Sequence, residues 1–206
     1  MKLIIVRHGQ TDENVGNGLA ARESEVLLNE EGVLQAKKLA VHLKSEKISH
    51  AYVSPLQRAV QTADHILQHH LEVELVVAEH LNEQNLGAVA TMPKAQWKEI
   101  KKASTDPWHL FKAEKGESYQ EMQARAAEFF HSLLKNHGPN DTVLVVSHGG
   151  TLGVLLLDIL EKELTEENYR AHQPKNTEFT VVEIFDNGKK RIQKLNSREH
   201  LTNEKV

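Results

Sequence analysis

The residues best equipped for chemistry are two histidines, each set at the end of an apolar run and each followed by glycine. His8 comes after Arg7 and closes the run Leu3-Ile4-Ile5-Val6; His148 comes after Ser147 and closes Thr142-Val143-Leu144-Val145-Val146. Runs of this length suit strands buried on both faces, and open α/β sheets bind ligands where such strands end. Either motif alone reads equally well as a polar loop, but two strands ending alike point to one shared site. Arg58 is a further candidate, because it falls in the first turn of a helix announced by Ser54-Pro55. A guanidinium beside unpaired backbone N–H groups is a strong anion site. The apolar helix from Thr151 to Leu160 opens directly onto His148.

Two arginines, two imidazoles and a helix N-terminus brought together make a pocket for a phosphate dianion. Phosphoryl transfer needs mainly positioning and charge stabilisation, so one neutral imidazole can attack phosphorus in line while the cations hold the equatorial oxygens. The other imidazole can donate to the group in transfer. The chain has no cysteine, no Walker motif and no acidic metal cluster, which leaves histidine as the best nucleophile.

These residues need a scaffold, and the alternation of strand and helix patterns supplies one. It predicts an α/β fold: a single three-layer domain over 1–206 with a mainly parallel central sheet, helices on both faces and an antiparallel edge pair. Asn29 reads as the N-cap of a helix with Glu30 and Glu31 in its first turn, Val33, Ala36, Ala40 and Leu43 inward, and an end near Ser45. A strand at Ala51 to Val53 leads to Ser54 as N-cap and Pro55 as first helical residue. Val73 to Ala78 reads as a strand, and Pro93 to Ala103 as a helix anchored by Trp97 and Ile100. Ser118 to Glu121 is a capping box, followed by Met122, Ala126, Phe129 and Leu133 on one helical face. Glu178 to Phe185, the turn Asp186-Asn187-Gly188 and Arg191 to Leu195 form a hairpin. Val15 to Leu27 reads as a loop, 108–115 has no assignment, and about 197–206 reads as a loose tail. By residue type alone Glu83 is a solvated loop glutamate. His69, His70, His131 and His137 read as exposed helix-end residues without metal-ligand spacing.

Composition narrows the function classes. A chain of 206 residues with 39% hydrophobic and 26% charged content can bury a sizeable core without disulfides. Its net charge of -4 gives no general attraction to nucleic acid or an anionic membrane. The absence of cysteine fits a reducing compartment, and no signal peptide is evident, so a cytoplasmic location is expected.

The ordered motifs resemble the histidine phosphatase superfamily, the phosphoglycerate-mutase-like group. They are Arg7-His8-Gly9-Gln10-Thr11 with Asn14, Leu28-Asn29-x-x-Gly32-x-x-Gln35-Ala36, Ser54-Pro55-Leu56-x-Arg58-Ala59-x-Gln61-Thr62-Ala63, Leu81-x-Glu83-x-x-x-Gly87, Gly116-Glu117-Ser118 and Ser147-His148-Gly149-Gly150. The resemblance implies that His8 becomes a phosphohistidine and that Arg7, Arg58 and His148 bind the phosphoryl group. It makes Glu83 the general acid and base, and gives Gln10, Asn14 and the Gly149 backbone contacts to substrate. Gln10 stands where many members carry glutamate, and Ala88-Val89-Ala90 replaces a common aromatic-Glu-Gly pattern. The expected activity is a metal-independent and cofactor-free acid-type phosphatase acting on a small-molecule phosphate ester; a homodimer is left open. A phosphoglycerate mutase is the alternative enzyme, and a catalytically silent phospholigand-binding regulator is the alternative from another class.

Overall fold

The computed structural model describes residues 1–15 and 25–202, and the backbone alone of Lys94. The apolar run at the N-terminus forms β1 (Lys2–Arg7), and a one-turn helix α1 (Asp12–Val15) follows it. Residues 16–24 of the expected loop lie outside the described residues. Helix α2 (Glu30–Leu43) begins as its sequence requires, with the Asn29 side chain accepting from the Gly32 N–H at 2.9 Å. Strand β2 (His50–Val53) and helix α3 (Gln57–Leu67) come next. Strand β3 is confined to Leu75–Val77, and α4 spans Lys94–Ala103. The long α5 (Tyr119–Asn136) carries the expected capping box, with both of its reciprocal bonds present. It leads to β4 (Thr142–Ser147), α6 (Gly149–Ile159), α7 (Glu166–His172), β5 (Phe179–Ile184), β6 (Lys190–Ser197) and the short α8 (Glu199–Thr202).

One six-stranded sheet in the order β3-β2-β4-β1-β5-β6 organises these elements. Strands β1, β2, β3 and β4 pair in parallel, while β5 runs against both β1 and β6. Side chains alternate across a strand, so β1 and β4 feed two cores at once. Leu3, Ile5, Val143 and Val145 pack with α5 and α6, whereas Ile4, Val6, Leu144 and Val146 pack with α2 and α3. Helices therefore cover both faces, and the parallel register puts Arg7 opposite Ser147. His8 and His148 leave the sheet side by side.

Four local expectations need correction. Ser54 and Pro55 do not start α3: Leu56 is its N-cap, without a side-chain cap, and the Ser54 hydroxyl is engaged with His148. Ile100 does not anchor α4, being 38% exposed, and only Trp97 of the pair is buried. The 197–206 tail is ordered through Thr202, because α8 returns onto α2 with His200 buried and bonded to the Thr177 hydroxyl at 3.0 Å. His137 is covered, and it lies with His50 and Asp141. The unassigned stretch 108–115 is irregular chain held by aromatic stacking, Trp108 on Tyr119 at 4.1 Å and Phe111 on Trp97 at 5.3 Å.

Candidate active site

His8 is buried, and its ring orientation is set locally. Its backbone N–H donates to the Ser147 carbonyl at 3.0 Å, and its Nδ1 lies 2.7 Å from the carbonyl oxygen of Gly9. A carbonyl only accepts, so that contact assigns the proton to Nδ1 and leaves the Nε2 lone pair for a ligand. Burial, reinforced by the Arg7 and Arg58 charges, holds the imidazole well below its ordinary range. A neutral ring with one free lone pair is a nucleophile. His148 lies beside it, ring centroids 5.1 Å apart, with its Nε2 2.7 Å from the Ser54 hydroxyl.

The turn after His8 depends on close backbone packing. A Cβ on Gly32 would stand 2.0 Å from the Gln10 carbonyl oxygen, so the first turn of α2 can press on this loop only as glycine. The Gly9 N–H donates to the Thr62 hydroxyl at 3.0 Å, and that hydroxyl donates to the Arg58 carbonyl at 2.7 Å. The nucleophile's loop and the arginine on α3 are thereby tied together.

A cleft of about 340 Å³ opens above His8, lined in part by Arg7, Arg58, Thr11, Lys98 and Lys101. Its cationic side chains Arg7, Arg58, Lys98 and Lys101 face two carboxylates, Glu13 and Glu83. Such a balance favours a dianion. Arg7 donates to the Pro174 carbonyl at 2.9 Å, while its buried Nε and the buried Thr11 hydroxyl have no hydrogen-bond partner among the described residues. Buried donors of this kind suit an anionic ligand. Aromatic residues Trp97, Tyr119 and Tyr169 form the outer wall, where burial pushes the Tyr119 hydroxyl up to about 12 and lowers the Lys101 amine.

Glu83 is half-buried and fully engaged by backbone donors. Its Oε2 accepts from the Gly150 N–H at 3.0 Å, and its Oε1 accepts from Thr151 at 3.2 Å and Gln84 at 2.9 Å. The carboxylate thus caps α6, taking the Gly150 and Thr151 N–H groups of its N-terminus. A Cβ on Gly150 would lie 2.2 Å from Glu83 Oε1, so glycine is required for the contact. The segment bearing Glu83 is anchored on both sides. Ser147 and Thr151 hydroxyls donate to the Leu81 and Asn82 carbonyls, and Arg125 donates to the His80 carbonyl while gripping Glu117 through two hydrogen bonds of 2.6 and 2.9 Å.

A family profile described as histidine phosphatase superfamily (branch 1) matches residues 3–198. The chain belongs to the histidine phosphatase superfamily. A probable phosphatase of Schizosaccharomyces pombe is 28% identical over 100% of this chain and 98% of its own length. A 2,3-bisphosphoglycerate-dependent phosphoglycerate mutase of Bartonella bacilliformis is 31% identical over 80% of this chain and 84% of its own. Among solved structures, the phosphoserine phosphatase of Entamoeba histolytica in complex with 3-phosphoglyceric acid has a TM-score of 0.80 at 27% identity, covering 97% of this chain and 98% of that one.

Within this histidine phosphatase, the residues expected at the site divide into three groups. Arg7, His8, Asn14, Arg58 and Glu83 all line the cleft. His148 sits against His8 but behind the cleft wall, and Gly149 backs the Arg7 guanidinium, to which a Cβ would come within 3.1 Å. Gln10 is turned away: its side-chain oxygen accepts from Asn29 at 3.1 Å, and it does not line the cleft. Thr11 and Arg125 were missed as site residues. Thr11 stood within the quoted motif, whereas the role of Arg125 depends on a contact across 42 residues that has no local signal.

Proposed function

We propose that this chain is a metal-independent phosphomonoesterase that hydrolyses a small phosphorylated metabolite through a phosphohistidine at His8. The observation that carries the reading is the Nδ1 contact to the Gly9 carbonyl at 2.7 Å, which leaves Nε2 of a buried neutral ring free beside two arginines. The phosphoryl group docks against Arg7, Arg58 and Thr11, and His8 Nε2 attacks phosphorus in line. As the P–N bond forms, the P–O ester bond breaks and its electron pair leaves on the substrate oxygen. Glu83, acting as general acid, supplies the proton that makes this an alcohol. Water then attacks phospho-His8, gives its proton to the Glu83 carboxylate, and inorganic phosphate departs with His8 restored. Asn14 and the outer aromatic wall contact the rest of the substrate.

A phosphoglycerate mutase is the second reading, favoured by the similarity to the Bartonella bacilliformis mutase. The two are separated by supplying 3-phosphoglycerate without bisphosphate. A phosphatase releases inorganic phosphate; a mutase isomerises the substrate, with strong stimulation by added bisphosphate. Isomerisation far faster than phosphate release overturns the phosphatase reading.

A further inference from the structure

At the opposite end of the sheet from His8, three side chains converge that the phosphatase chemistry does not use. His50 opens β2, Asp141 immediately precedes β4, and His137 is the C-cap of α5. One ligand atom from each lies within 4.8 Å of the other two. His137 Nδ1 is 3.7 Å from one Asp141 oxygen, and His50 Nε2 is 3.7 Å from the other. Hydrogen-bonded partners would stand at about 2.7–3.2 Å, so these groups face one another without bonding.

Three further observations bear on what the arrangement can hold. First, the His137 side chain is only 5% exposed, and its Nδ1 is buried with no hydrogen-bond partner among the described residues although it points at the acid. Second, its other nitrogen is engaged: Nε2 lies 2.9 Å from the Tyr52 hydroxyl. An Nε2–H donated to that hydroxyl oxygen leaves the Nδ1 lone pair free, the outer-sphere support that orients a ligating imidazole. Third, the Gly138 N–H donates to Asp141 Oδ2 at 2.8 Å, holding the carboxylate in place. Ligand atoms around tetrahedral zinc are separated by about 3.4 Å, given bonds near 2.0–2.1 Å. The two 3.7 Å separations, one to each Asp141 oxygen, are close to that spacing, and the His50 side chain, 43% exposed, has room to turn toward a shared ion.

We propose that His50, His137 and Asp141 bind a divalent cation of the zinc type, with solvent as the fourth ligand on the open side. Two imidazoles and one carboxylate match the ligand preferences of zinc and cobalt better than those of magnesium or calcium. The cation clips the start of β2 to the start of β4 and to the end of α5. Its role is structural, because its ligands stand at the sheet end remote from the cleft.

The test is optical titration of the full chain with cobalt(II). One equivalent should give the intense visible band of tetrahedral coordination, and zinc should displace it. The band should persist in His8→Ala, which excludes a site in the cleft, and vanish in both His50→Ala and His137→Ala. The exposed His50 gives a variant whose loss cannot be ascribed to a disrupted core. Absence of a saturable intense band, or a band that survives either substitution, overturns the proposal.

Discussion

Replacing Gly150 by alanine tests the coupling between α6 and Glu83. The added Cβ would stand 2.2 Å from Glu83 Oε1, so the carboxylate must leave and its bonds from the Gly150 and Thr151 N–H groups are lost. Two such bonds contribute about 1 kcal/mol each, and alanine in place of glycine within a helix returns about 1 kcal/mol. The fold should therefore lose only about 1 kcal/mol. Catalysis should suffer far more, because a displaced general acid costs roughly 10²–10⁴ in rate when the leaving group needs a proton. The assay compares an alkyl phosphate with nitrophenyl phosphate in single-turnover bursts, alongside urea unfolding. Gly150→Ala should slow release of the alcohol severely and release of nitrophenolate little, as should Glu83→Gln. Equal small losses with both esters would refute the role given to Glu83 and reduce the contact to a helix cap.

Arg58→Lys keeps the charge but loses the planar fork, so turnover should fall by about 10²–10³ and vanadate inhibition should weaken with it; unchanged inhibition would make Arg58 a helix-start residue only. Acid stability should depend on His200, which burial, then the neighbouring His42 charge, holds down to about 4. The unfolded chain takes up that proton near about 6.5, so stability falls as pH drops from there through about 4. His200→Asn should flatten the decline in thermal midpoint across that window; an unchanged slope would assign the acid sensitivity elsewhere.

The sequence carried the central sheet because its signals there are local. Val143 to Val146 and Leu3 to Val6 are unbroken apolar runs, and both became strands buried on two faces. Asn29 and the Ser118 box were equally legible, since a cap is a short-range bond. Signals failed where a side chain had a distant partner. Ser54 carries the composition of an N-cap, yet its hydroxyl is drawn to His148 across 94 residues. Glu83 looked like loop polarity because its bonds to Gly150 and Thr151 span 67 and 68 residues. The Gln10 amide oxygen likewise has a distant partner, accepting from Asn29 across 19 residues. His137 and Asp141 have helical spacing, but the chain leaves the helix at His137, and His50 joins them from another strand. The tail reads as polar, yet α8 packs back against α2 with His200 buried and Glu199 paired to His42.

The most direct measurement is to quench the reaction of a labelled phosphate ester during its burst and map the protein-bound phosphate. Phosphate that is labile in acid, stable in base, attached to His8 and absent from His8→Ala is the predicted result. Label on any other residue, or turnover at full rate in His8→Ala, contradicts the account.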